Sequence, residues 1–300
     1  MTLSDFDQAL RHKYRVESGG AFVPGVTTVL GVNDKPAFKW TSAKIAATTA
    51  VENGRRKRSI VPKHRAKLLA SRGNSKTSVN NRELGNLGSD NDIYIHFCRG
   101  EFDRQWREKA KKGNRVHDVA EKWTKGEAVD VAHEDSLYVD ALEKFHRECR
   151  PLFHLTECVV LNKDLGYGGR FDTITTLYEW QSLDGDSFEG TDWGWVALGT
   201  YLLDYKTGGE YEDSVAMQTI GYMDCKLPVY KNGTLVDFLD LPELDGARIV
   251  YLKDDGTYIL KDPFANIPQE LAREAFQACL TLFKANKKIQ SLLGNENDND

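Results

Sequence analysis

Apolar positions along this chain follow two periods, one of three to four residues and one of two, and the change between them falls at Pro151. Residues 1–36 read as a short helix and then an extended run punctuated by Gly and Pro, ending in FVPGVTTVLGVNDKP. Pro36 presets a helix start, and 37–50 is Ala-rich with helical spacing. Residues 73–92 are rich in Gly, Asn and Ser and read as a mobile loop. Helix resumes near Glu101, with a break expected at Lys112-Gly113-Asn114. Residues 134–150 form another helix, with an apolar stripe at Leu137, Ala141, Leu142 and Phe145. Beyond Pro151 the alternation predicts strands at 155–162, 170–178 and 200–206. Residues 179–199, with Gly and Trp, read as an insertion between the last two strands. A helix over 213–226 follows, then two hairpins turning at Asn232-Gly233 and Asp254-Asp255-Gly256. A long helix over 269–293 starts after Pro268, and 294–300 is a polar tail, expected to be disordered. The expected class is α/β: a helical, partly basic region over 1–150, then an α/β core with its closing helix over 151–293.

Composition narrows the options. With 40% hydrophobic and 28% charged residues the chain can bury a sizeable core, which excludes disorder, collagen and coiled coil as whole-chain descriptions. The apolar stretch 193–203 is too short to span a bilayer, and the N-terminus has no signal-peptide core. No membrane partner and a cytoplasmic location are therefore expected. Five cysteines at 98, 149, 158, 225 and 279 suggest neither a disulfide framework nor a zinc ribbon. Charge is uneven. Residues 55–76 hold nine Lys or Arg and no acid (Arg55, Arg56, Lys57, Arg58, Lys63, Arg65, Lys67, Arg72, Lys76), which leaves −14 on the rest of a chain whose total is −5. Such a segment is either an anion-binding surface or a solvated helix face.

The residues that carry chemistry are GGRFD at 168–172 and LLDYKTG at 202–208. Side chains alternate along a strand, so Asp204 and Lys206 share a face while Tyr205 points into the opposite layer. Taken alone, Asp-x-Lys is an ordinary ion pair. Asp172, however, stands at the same relative place on the preceding strand, and sequential strands tend to pair. The two carboxylates can then converge on one hard cation, such as a Mg²⁺ that also binds water and a phosphate oxygen. Lys206 beside it could orient the attacking water and stabilise negative charge at phosphorus. Gln218 and Tyr222, spaced i and i+4, share a helix face. They suit contact with a nucleic-acid backbone or with Lys206, or form a polar helix edge, while Met217, Ile220 and Gly221 face the core. His117, with Glu121 one turn on, reads as structural unless it joins the two carboxylates.

Taken in order, GNRVHDVAE, GGRFD, LLDYKTG and Q-x-x-x-Y resemble the RecB-type branch of the PD-(D/E)xK nucleases, over about residues 110–225. That branch includes the nuclease domains of bacterial recombination helicase–nucleases and the CRISPR-associated exonucleases. VPGVTTVLGVNDKPAFKW is similar to small phage-encoded members, which would place the protein in the host cytoplasm. The resemblance implies a restriction-endonuclease-like fold, a mixed central sheet flanked by helices. It implies His117, Asp172, Asp204 and the Tyr205 carbonyl as metal ligands for Mg²⁺ or Mn²⁺, Lys206 as the catalytic lysine, and Gln218 and Tyr222 as the motif that follows it. Glu157 stands where related sequences often carry an acid, although a strand-edge salt bridge is the simpler reading. The CRISPR-associated branch often holds an iron–sulfur cluster through one N-terminal and three C-terminal cysteines. Here only Cys279 lies beyond Cys225, so no cluster is expected. No Walker A motif is present, and none of the chain's serines or cysteines stands in a recognisable nucleophile motif. The expected activity is hydrolysis of DNA phosphodiesters, as an exonuclease on single strands or ends. Residues 55–67 and Trp40 would guide the strand. The alternatives are a structure-specific endonuclease of resolvase type and a DNA-binding accessory protein without catalysis.

Overall fold

The computed structural model describes residues 14–15, 22–32, 36–71, 89–129, 131–183, 192–208 and 212–293. The polar loop over 73–88 and the tail over 294–300 lie outside the described residues, as do the side chains of Trp40, Lys67, Arg72 and Lys76. Two compact units emerge: Met1–Asn33 with Lys112–Asp300, and Asp34–Lys111. The dividing points thus differ from the change of sequence texture at Pro151.

The larger unit is an α/β layer structure. Its short first ladder pairs β1 (Tyr14–Arg15) with β2 (Phe22–Val23). Then comes α1 (Val26–Leu30), where an extended chain was expected. Val26, Val29 and Leu30 are buried at i, i+3 and i+4, a helical spacing hidden by the β-branched composition of the segment. Past the other unit, helix α4 (Asp90–Thr124) delivers Lys112–Thr124, and α5 (Ser136–Cys149) follows. Three long antiparallel strands come next: β3 (Leu152–Asn162), β4 (Tyr167–Ser182) and β5 (Trp193–Lys206). Helix α6 (Glu212–Met223) and the small hairpin β6 (Leu227–Lys231) and β7 (Thr234–Leu239) lead to β8 (Gly246–Leu252), which lies parallel to β5. Strand β9 (Tyr258–Lys261) closes the five-stranded mixed sheet in the order β3-β4-β5-β8-β9, and α7 (Gln269–Leu292) ends the unit. Both expected hairpins form. The stretch over 179–199 is not a separate insertion: β4 runs on to Ser182 and β5 begins at Trp193, because alternating apolar residues continue the ladder on both sides.

Each face of the sheet is covered. On one, Phe171, Ile174, Leu202 and Ala247 pack against Val26 and Val29 of α1, Ala216 and Ile220 of α6, and Phe276 and Leu280 of α7. On the other, Leu203, Tyr205 and Val250 pack against Val116 and Ala120 of α4 and Leu142 and Phe145 of α5. Buried apolar area of this kind stabilises by roughly 25 cal/mol per Å², and here it fixes the depth at which the polar residues between the layers sit.

The smaller unit is helical: α2 (Pro36–Asn53), a 3₁₀ turn (Gly54–Arg56), α3 (Lys57–Ser71) and the first part of α4 (Asp90–Thr124). Val61, Ile93, Tyr94 and Cys98 form its core, and Tyr94 donates to the Ala50 carbonyl at 2.9 Å. Helix α4 departs from expectation twice. It begins at Asp90 rather than near Glu101, because Ser89 and Asp92 form a reciprocal capping box in which Ser89 N–H donates to Asp92 Oδ2 at 3.0 Å and Asp92 N–H to Ser89 Oγ at 3.2 Å. It also runs through Gly113 unbroken. A helical glycine costs only about 1 kcal/mol, and a Cβ there would stand 3.4 Å from Thr207 Oγ1. Among the described residues no helix is long and apolar enough to cross a membrane.

Candidate functional site

The register of the sheet sets three acids side by side. Thr156 pairs with Thr173 and Cys158 with Phe171, which puts Glu157 opposite Asp172. Thr173 pairs with Leu203, so the next position outward sets Asp172 opposite Asp204. Like charges directly across a sheet repel, and each acid here has its own cation. Arg170 Nε lies 2.7 Å from Glu157 Oε2, His117 Nδ1 3.3 Å from Asp172 Oδ2, and Lys206 Nζ 2.5 Å from Asp204 Oδ2.

Neighbouring groups fix the acids further. Asp172 Oδ2 accepts the Tyr205 N–H at 2.8 Å. Tyr205 itself is 2% exposed, and its ring packs edge-on against Phe145 in the opposite layer, as the strand alternation requires. Its backbone therefore meets the site through the N–H. Glu157 has φ +53, a left-handed conformation that is uncommon for a side-chain-bearing residue and tends to occur where structure constrains it.

The charges are mutually adjusted. Burial disfavours a charged His117, but the Asp172 carboxylate outweighs it and raises the imidazole to about 9. Burial likewise opposes ionisation of Asp172, and His117 beside it brings the carboxyl below its ordinary value. Asp204 is raised, by burial and by Asp172, against the pull of Lys206. Burial works against the Lys206 charge, yet Asp204 and Asp172 hold the amine above its usual value. Burial and then Asp172 push Glu157 up to about 7, against Arg170.

Gln218 and Tyr222 lie on α6, which packs on β4, and the Tyr222 hydroxyl feels the charges of both Asp204 and Asp172. Gln218 Nε2 donates to Tyr222 Oη at 3.1 Å. Among the described residues neither makes a hydrogen bond to Lys206. The Tyr222 ring lies against Gly169, where a Cβ would come within 2.4 Å of it; a Cβ on Gly168 would meet Leu161 at 2.6 Å and the Tyr14 side chain at 3.0 Å. The paired glycines of GGRFD therefore admit one tyrosine on each face of β4. Glu121 sits one turn beyond His117 and bonds Lys125 at 2.5 Å, with Arg170 4.0 Å away. Helix α4 is held at this point by Arg115, whose Nε and guanidinium donate to Asp135 at 2.6 and 3.1 Å.

The structure thus brings together His117, Asp172, Asp204, Lys206, Gln218 and Tyr222, and it adds Glu157 and Arg170 to them. Glu157 was a candidate from the sequence and makes the salt bridge read for it there, whereas Arg170 is identified as its partner only by the register, once the strands are paired. The basic residues lie in the other unit. Arg55, Arg56, Arg58, Lys63 and Arg65 are exposed, whereas Lys57 is bound to Asn91 and lies over the Tyr94 ring, and Arg65 pairs with Asp90 at 3.1 Å.

As arranged, no three ligand-type side chains among the described residues close on one point. Their donor types nevertheless suit a hard divalent cation: the Asp172 and Asp204 carboxylates stand side by side, and Asp172 raises the cost of charging Asp204. Carboxylate oxygens suit Mg²⁺ and Mn²⁺, and an imidazole beside them favours Mn²⁺. No model of a known protein family matches the chain, and no curated protein matches it.

Proposed function

We propose that the protein is a metal-dependent DNA nuclease of RecB type within the PD-(D/E)xK fold, hydrolysing phosphodiesters at the row of acids on β4 and β5. The observation that carries this reading is the meeting of Asp172, Asp204 and Lys206 with His117, from three separate elements, on the inner strands β4 and β5 of the mixed sheet. The element order, a helix, three antiparallel strands, a helix and a strand parallel to the third, is compatible with that fold.

In this reading Asp172 and Asp204 hold Mg²⁺ or Mn²⁺, with His117 as a nitrogen donor. The bound ion supplies an activated water and a counter-charge for the phosphate. The Tyr205 N–H fixes the Asp172 carboxylate. Lys206 keeps its proton and places a compact positive charge where negative charge builds up on the phosphate oxygens. Tyr222, held by Gln218 and Gly169, walls the site. Water adds to phosphorus as the P–O bond to the leaving nucleotide breaks, and that oxygen takes up a proton. Exposed arginines of 55–65 bind the strand through its phosphates.

End-labelled linear and circular single-stranded DNA, each incubated with Mg²⁺, Mn²⁺ or EDTA, test the reading. Linear DNA is degraded with metal and untouched in EDTA, and Asp204→Ala abolishes both metal binding and cleavage. Full cleavage in excess chelator ends the proposal. Cutting of the circle makes the enzyme an endonuclease of the same chemistry. One observation favours a second reading: every acid of the row already has an internal cation, as in a protein that holds DNA without cutting it. Retention of DNA with no cleavage in Mn²⁺ decides for that reading.

A further inference from the structure

Strands β4 and β5 outrun the sheet. Strand β3 accompanies β4 only as far as Thr176, and β8 accompanies β5 only from Tyr201. Beyond those points Leu177 to Ser182 and Trp193 to Gly199 form a two-stranded ribbon with no further sheet neighbour among the described residues. Such a ribbon is marginal alone in water, and its outer edges offer unpaired backbone groups. Trp180 pairs with Trp195 across the ribbon and Ser182 with Trp193, so the three indoles share one face. Trp180 and Trp195 meet edge-to-face at 5.5 Å. Trp180 and Trp193 are each 51% exposed, although tryptophan is among the costliest side chains to leave in water.

The ribbon's own charge has one sign. From 171 to 205 the sequence contains no Lys or Arg, and Glu179 and Asp192, which alternate with Trp180 and Trp193, are exposed on the opposite face of the ribbon. Among the described residues a cation reaches the indoles from outside: the Arg150 guanidinium lies 4.4 Å from the centre of the Trp195 ring. An indole face of this ribbon therefore already accepts a guanidinium, and two more are open. Nucleic acid fits poorly on a ribbon with carboxylates and no cation of its own.

We propose that this ribbon is a docking edge for an extended, arginine-bearing segment of a partner protein, which adds a strand beside it and stacks its guanidinium groups on Trp180 and Trp193. The proposal is independent of the nuclease reading, because none of its residues belongs to the row of acids.

The probe is an octapeptide of alternating Arg and Val, whose arginines all lie on one face of an added strand. Tryptophan fluorescence of the full chain is titrated with it, and with alternating Lys–Val, alternating Glu–Val and oligothymidylate. Saturable binding of the Arg–Val peptide is expected, weaker for Lys–Val and absent for Glu–Val. Trp180→Ser with Trp193→Ser weakens it about tenfold, whereas Glu179→Gln with Asp192→Asn, on the opposite face, leaves it nearly unchanged. Asp204→Ala leaves it unchanged. No saturable change, parental affinity in the tryptophan variant, equal weakening in both double variants, or tighter binding of oligothymidylate through the same indoles overturns the proposal. A dimer seen by light scattering and lost in the tryptophan variant also overturns it, in favour of a second copy.

Discussion

Lys206 and His146 show how burial gives two ordinary side chains different tasks. Lys206 keeps its charge because Asp204 and Asp172 outweigh desolvation. On the proposed function it acts where charge develops, in the transition state more than in the ground state. Lys206→Ala is expected to cut single-turnover cleavage by about two orders of magnitude or more. DNA binding measured in Ca²⁺ should change little. Lys206→Arg should not restore the rate, since a planar guanidinium cannot place a compact charge at the same point. Parental cleavage by Lys206→Ala would reduce the Asp204 contact to a plain ion pair. His146 has no such partner. It is packed among Trp123, Phe145 and Phe153, and burial lowers it to about 4. The folded protein therefore keeps this imidazole neutral between about pH 6.5 and 4, where the unfolded chain binds a proton. The stability this confers is present above 6.5 and is lost as pH falls towards 4, by about 3 kcal/mol in all. His146→Phe should flatten that part of the acid limb. Urea midpoints at pH 7 and pH 5 measure it, and equal pH dependence in both proteins would place the acid sensitivity elsewhere. At this scale the sequence showed Asp172, Asp204, Lys206 and His117 through their motifs. It marked Glu157 and read it as a salt-bridging acid, which the Arg170 contact bears out, but it could not show that Arg170 is the partner, since that depends on which residues of β3 and β4 face each other.

Helix and strand boundaries were legible where local chemistry decides them and obscure where it competes. Pro36 and Pro268 begin helices as their fixed φ predicts. The Ser89-x-x-Asp92 capping box was also in the sequence, but a polar Gly/Asn/Ser stretch before it made the whole segment read as loop. Gly113 reads as a break because helical glycine is unfavourable, yet α4 runs through it, since one such residue costs only about 1 kcal/mol. The glycines of β4 make the same point in a testable way. At Gly169 an added methyl meets the Tyr222 ring and, at 3.2 Å, Val26, both in the packed core. At Gly100 of α4 an added methyl meets nothing within 4 Å. Gly169→Ala should therefore destabilise by about 1–3 kcal/mol through overpacking. Gly100→Ala should stabilise by up to about 1 kcal/mol through helix propensity. Chemical denaturation of the two variants checks the opposite signs. A neutral Gly169→Ala would mean that Tyr222 moves aside easily and does not wall the site.

Over the whole molecule, the α/β class and the order of strands and helices could be read from periodicity, but membership of the two compact units could not. Helix α4 is one unbroken element in the chain, and only its distant partners assign its end to the sheet: Val116 and Ala120 in the core with α5, and Arg115 on Asp135. Such contacts leave no mark on local pattern. The charge asymmetry, by contrast, was fully legible, and the structure sharpens what it predicts. Of the basic residues in 55–65, Arg55, Arg56, Arg58, Lys63 and Arg65 are exposed, and Lys57 is engaged by Asn91 and Tyr94. If those five each neutralise a phosphate of a single strand, log K against log[salt] should slope at about −3.5, since each contact contributes about −0.7. Replacing Arg55, Arg56, Lys57 and Arg58 together with serine should remove three contacts rather than four and bring the slope to about −1.4. Substituting Lys57 alone should leave the slope unchanged and lower the stability of the helical unit instead, because its amine is already committed within the fold. Binding measured over a range of NaCl concentrations in Ca²⁺, to suppress cleavage, separates these cases. An unchanged slope in the fourfold variant would assign the basic run to solubility or to a partner other than DNA, and the strand would then have to be held by the sheet unit alone.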